Sequence, residues 1–139
     1  MNKVMLMGET GTGKGALMRV LGCDHVPRRA MAVEYCGRFI ITPGEFLENR
    51  RFYSALITTA AEADILVLLQ DATRGNSLFP PQFATMFNRR VAGLVTNCEA
   101  AGSKPERAER YLQNAGVREM LRVDCRTGAG VDAVRLLLA

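Results

Sequence analysis

Gly8-Glu9-Thr10-Gly11-Thr12-Gly13-Lys14-Gly15 satisfies the pattern G-x-x-x-x-G-K. It stands between a short apolar run, Val4 to Met7, and a segment of helical periodicity from Lys14 to about Leu21. Strand, glycine-rich turn and helix in that order describe a phosphate-binding loop. The glycines let the backbone wrap an anion with its N–H groups inward, and the helix start and the Lys14 ammonium add positive potential. Four glycines with a lysine in this context favour a phosphate-loop ancestry over a merely tight turn. The candidate phosphate-binding residues are Gly8, Thr10, Gly11, Thr12, Gly13, Lys14, Gly15 and Ala16. Two features weaken the loop. Its last position, normally a serine or threonine whose hydroxyl ligates magnesium, is Gly15, and Glu9 brings a charge that repels a polyphosphate.

Beyond the loop, strands are expected at Ala32 to Tyr35, Phe39 to Ile41, Ile65 to Gln70, Val91 to Val95 and Leu121 to Val123. Helices are expected across Asn49 to Ala63, Gln82 to Phe87, Pro105 to Asn114 and Val131 to Leu138. The alternation gives an α/β fold, a mostly parallel central sheet with helices on both faces, because parallel neighbours need crossovers and both sheet faces need cover. A chain of 139 residues with 48% hydrophobic content is sized for a single domain over 1–139.

Composition excludes several classes. The longest apolar runs, such as Ile65 to Leu69, are strand-length and far short of the roughly 20 residues a membrane-spanning helix needs. The N-terminus lacks the cleavage pattern of an export signal. Cys23, Cys36, Cys98 and Cys125 are widely spaced without a C-x-x-C pair, so free thiols in a reducing, cytoplasmic compartment are expected in place of disulfides or zinc. The net charge of +4 comes from isolated pairs (Arg28-Arg29, Arg50-Arg51, Arg89-Arg90), and aromatics make up 6%, so neither a basic stripe nor a stacking platform for nucleic acid is present. His25, the only histidine, reads as a solvated loop residue.

Three further segments fall where small GTPases carry their other motifs. Ile40-Ile41-Thr42-Pro43-Gly44-Glu45 resembles D-T-P-G with Ile41 at the aspartate position, which removes a second support of the magnesium ion. Thr96-Asn97-Cys98-Glu99 resembles the guanine-reading N/T-K-x-D, with Asn97 for lysine and Glu99 for aspartate. These two are the candidate base-recognition residues, although Asn97 lacks lysine's apolar stem and Glu99 carries an extra methylene. Asp124-Cys125-Arg126-Thr127-Gly128 stands where S-x-x-T-G is common, with Asp124 read first as an exposed loop carboxylate or cap.

The run from Thr42 through Pro43, Gly44, Glu45, Phe46, Leu47, Glu48, Asn49, Arg50, Arg51, Phe52 and Tyr53 to Ile57 is more distinctive. With Gln70-Asp71-Ala72-Thr73 and Val33-Glu34-Tyr35, it resembles the ethanolamine- and propanediol-utilization GTPase-like family, EutP/PduV, over nearly the whole chain. That resemblance implies a Ras-like P-loop NTPase fold, a nucleotide site around residues 8–15, and association with the protein shell or an encapsulated enzyme of a bacterial microcompartment. It also places Ala30 where the family's first switch carries a threonine. The departures fall on nucleotide and metal positions, which describes a pseudo-GTPase: GTP, GDP or ATP bound weakly if at all, with magnesium weak or absent. Glu45, Glu48, Arg50, Arg51 and Tyr53 are the candidate partner surface, read equally as a solvated helix start. The alternative is a weak NTPase or phosphotransferase in which Lys14 holds phosphate and Asp71 substitutes for the lost metal carboxylate, although Asp71 reads more readily as support for a turn. No glutamine follows Gly44 to orient water for hydrolysis; Glu45 does.

Overall fold

The computed structural model describes residues 2–9, 11–23 and 32–139. Its elements are β1 (Val4–Gly8), α1 (Lys14–Val20), β2 (Glu34–Cys36), β3 (Phe39–Ile41), α2 (Glu45–Glu48), α3 (Tyr53–Ala60), β4 (Ile65–Asp71), β5 (Arg90–Thr96), α4 (Pro105–Asn114), β6 (Glu119–Arg122) and α5 (Val131–Leu137). The sheet order is β2-β3-β1-β4-β5-β6, every pair parallel except the antiparallel edge pair β2–β3. β1 and β4 are buried along their whole length, as continuous apolar strands sandwiched between helices must be.

Side-chain alternation along the central strands builds two cores. Val4, Leu6, Val67, Leu69 and Leu94 join Leu17 and Met18 of α1 and Val134 of α5 on one face. Met5, Met7, Leu66, Leu68 and Val95 join Phe46 of α2, Leu56 of α3, Leu112 of α4 and Phe83 of the turn between β4 and β5 on the other. The expected helices on both faces of a mostly parallel sheet are therefore present.

The differences are local. The segment expected as one helix from Asn49 to Ala63 breaks into α2, a 3-10 turn Arg50–Phe52 and α3. Asn49 adopts an extended backbone and its side chain accepts from the Arg51 N–H, so it ends one helix and caps the next turn. The helix expected at Gln82 to Phe87 is a 3-10 turn, Phe83–Met86, entered through Gln82 at φ 60°. Cys23 and Cys36 are joined by a disulfide, which corrects the expectation of four free thiols; Cys98 and Cys125 remain free. The fold brings the end of α1 beside the β2–β3 edge, a proximity that spacing along the chain does not announce. Among the described residues no helix is long and apolar enough to cross a membrane.

Candidate functional site

The phosphate loop leaves the C-terminal end of β1 and turns into α1. Gly8 has no room for a side chain: a Cβ there would lie 2.6 Å from Thr12 Oγ1 and 3.1 Å from Leu69 Cβ. Gly13, at φ 96°, takes the left-handed conformation that lets the chain enter α1. Thr12 is buried, and its hydroxyl and N–H both reach back to the Glu9 carbonyl, at 2.8 and 3.2 Å. Lys14 Nζ curls over the loop to the carbonyls of Gly8 (2.5 Å) and Glu9 (3.3 Å). Burial pushes the Lys14 ammonium down from 10.5 to about 8, against an upward pull from Glu45. Gly11 also lies on this turn and Ala16 in the first turn of α1, while Thr10 falls outside the described residues, as do His25 and Ala30.

The positions that would hold magnesium are apolar or bare. Gly15 contributes no hydroxyl. Ile41, at the end of β3 beside Leu6, is 7% exposed and belongs to the core that includes Leu17 and Met18. The next residue, Thr42, is also buried, its hydroxyl donating to the Leu6 carbonyl at 2.8 Å. Both oxygens of Asp71 have partners within the fold: Oδ1 accepts from the Thr73 N–H and hydroxyl, and Oδ2 from Asn97 Nδ2 at 3.0 Å. Supporting a turn is therefore what its oxygens do.

The structure brings the base-recognition candidates to the C-terminal ends of β4, β5 and β6. Asn97 sits at φ 56° with its amide committed to Asp71. Glu99 is exposed; its carboxylate accepts from the Thr127 hydroxyl and its N–H donates to Asp124 Oδ2 at 3.1 Å. Asp124 is fully buried, against the expectation of an exposed carboxylate, and it organises both loops. Burial alone would raise its pKa, but hydrogen bonds from Arg126 and from the Glu99 N–H outweigh this and hold it below the usual carboxylate range.

The partner-surface candidates divide. Glu48, Arg50 and Arg51 are exposed. Glu45 lies within the electrostatic reach of Lys14, and Tyr53 packs edge-on against Phe83 with ring centroids 5.6 Å apart; both are half-buried. One contact at the loop itself joins residues that no spacing along the chain connects. Glu9 forms an ion pair with Arg74, 65 residues away, in the turn after β4. Charge at Glu9 was legible; a partner that far along the chain was not.

A family model described as "Ethanolamine utilisation - propanediol utilisation", PduV-EutP, matches residues 1–139. The chain belongs to this family. It is 35% identical over 142 residues to "Propanediol utilization protein PduV" of Citrobacter freundii, covering 99% of this chain and 93% of that protein. It is 34% identical over 122 residues to "Probable acetate kinase EutP" of Escherichia coli (strain K12), covering 86% and 77%. Among solved structures, translation elongation factor SelB from Methanococcus maripaludis, in complex with the GTP analogue GppNHp, superposes with a TM-score of 0.66 at 19% identity. That match covers 98% of this chain and 32% of SelB. The family has here the P-loop GTPase fold that the loop predicts.

Proposed function

We propose that this chain serves ethanolamine or propanediol utilisation as a pseudo-GTPase. It is a cytoplasmic accessory protein that works through contacts with a microcompartment shell protein or encapsulated enzyme. The observation that carries this reading is the magnesium half of the loop: Gly15 has no hydroxyl, and Ile41 buries a branched apolar side chain where the motif expects a carboxylate. Magnesium demands oxygen donors in near-octahedral geometry, and neither position supplies one. Glu45, in place of a water-orienting glutamine, would add repulsion at a terminal phosphate. The retained glycines and Lys14 support weak binding of GTP, GDP or ATP, and the exposed Glu48, Arg50 and Arg51 offer the partner a charged face.

A second reading, phosphotransferase, is favoured by the half-buried Lys14 ammonium and by the acetate kinase named in the Escherichia coli relative. Calorimetric titration of nucleotide-free protein with GDP, GTP and ATP, with and without magnesium, separates the two when paired with an assay of acetyl phosphate formation from ATP and acetate. The pseudo-GTPase predicts weak, magnesium-independent binding and no turnover. Magnesium-dependent turnover abolished by Lys14→Ala would instead establish the phosphotransferase.

A further inference from the structure

Glu9 is 8% exposed, and while one carboxylate oxygen pairs with Arg74, the other, Oε1, is buried with no hydrogen-bond partner. A purely structural ion pair in such a place is expected to satisfy both oxygens, since a buried unpaired acceptor costs stability. Arg74 lies against the loop: its Nη2 is 3.1 Å from where a Cβ of Gly11 would stand. Its backbone is held by α4 and the preceding turn, because Arg107 Nη2 donates to the Arg74 carbonyl, Tyr111 donates to the Gly75 carbonyl, and the Arg74 N–H donates to Asp71. The loop thus collects two cations, Lys14 and Arg74, whose fields overlap, and two carboxylates, Glu9 and Glu45. Its own side chains neutralise the charge that a phosphate would seek.

We infer that Glu9 is a built-in competitor for the phosphate site: its carboxylate holds the Arg74 guanidinium against the loop, and a phosphate chain gains Arg74 as a ligand only by displacing it. The ligand class is a diphosphate, free or carried by a nucleotide. Guanidinium exchanges one oxyanion for another readily, because carboxylate and phosphate present similar oxygens to its fork of donors. This rests on the reading that the loop retains weak phosphate binding, and it names the reason the binding is weak.

The experiment is magnesium-free calorimetric titration of inorganic pyrophosphate into the wild type, Glu9→Gln, Arg74→Ala, the double variant, and Glu45→Gln with and without Arg74→Ala. Glu9→Gln is expected to tighten binding about tenfold, corresponding to about 1.4 kcal/mol, and Arg74→Ala is expected to erase that gain. The gain from Glu45→Gln, a matter of charge alone, should survive Arg74→Ala. Unchanged or weaker binding by Glu9→Gln, a gain indifferent to Arg74, or no binding by either protein would overturn the inference; Glu9→Ala serves if the glutamine variant misfolds. GTP turnover by the wild type would instead sink the pseudo-GTPase reading and leave this one standing.

Discussion

Lys14 carries opposite pH signatures in stability and in binding. Its pKa, about 8 in the folded chain against 10.5 unperturbed, means that between those values the unfolded chain binds more protons. The charged, desolvated ammonium therefore costs stability below about pH 8, and that cost fades as the pH rises toward 10.5. Anion binding needs the ammonium, so the Lys14-dependent part of GDP affinity falls as the pH rises through about 8. Calorimetry should show roughly a thirtyfold loss of that part between about pH 7 and about pH 9.5, with a flat profile for Lys14→Ala. Asp124 has the carboxylate pattern: its depressed pKa gives stability that is fully present above its ordinary 3.8 and lost as the pH falls through the lower folded value. Asp124→Ala leaves the Glu99 and Arg126 N–H groups without their acceptor. It should cost about 1–3 kcal/mol in denaturant unfolding and flatten the acid limb of the stability profile.

Two contacts between elements set local stability. β5 and α4 approach so closely at Gly93 that a Cβ would fall 2.8 Å from Leu112 Cδ1 and 3.1 Å from Val117 Cγ1. Gly93→Ala is expected to lower stability by about 1–3 kcal/mol through overpacking, read as a lower denaturant midpoint at unchanged slope. The disulfide from Cys23, after α1, to Cys36 of β2 spans a separation of 13 residues. Closing a loop of that size stabilises by about 3 kcal/mol in the chain-entropy account. Denaturant unfolding with and without reductant, against the Cys23→Ser, Cys36→Ser double variant, measures it; a reductant-insensitive midpoint would show that the bridge does not form. Burial raises the pKa values of the free thiols Cys98 and Cys125, which keeps their reactive thiolate forms scarce near neutrality.

Across the whole molecule, the scaffold of a P-loop GTPase carries a glycine at position 15 and a buried isoleucine at position 41, where the motifs have a hydroxyl and a carboxylate. Ile41 shares one core with α1 and α5, so the missing carboxylate is also a piece of packing. Ile41→Asp should therefore lose about 2–4 kcal/mol in the absence of metal, since it buries an unpaired carboxylate where an isoleucine packed. Combined with Gly15→Ser, it is expected to make GDP affinity depend on magnesium, a dependence that the pseudo-GTPase proposal expects the wild type to lack. Titration of both proteins with GDP across a magnesium series tests this, and an equal response would show that other residues hold the ion.

The strand–loop–helix start was legible because Gly8 to Lys14 encodes backbone conformation directly. The central strands were legible because Ile65 to Gln70 and Val91 to Val95 are continuous apolar runs that only a sheet covered on both faces can bury. Periodicity could not show the break at Asn49, where one side chain caps a new turn inside an amphipathic pattern. It also could not show that Asp124 is buried, because the donors that stabilise its charge include the Glu99 N–H from a separate loop. By itself the sequence determined the fold class, the glycine-rich loop and the residue types at positions 15 and 41, all properties of residue type at a local spacing. Only the tertiary structure decided that Arg74 meets Glu9, that Cys23 meets Cys36 and that Asp71 is consumed by Asn97. Each of those pairings joins residues that neither motif nor periodicity links, and the folding of the sheet brings them within reach.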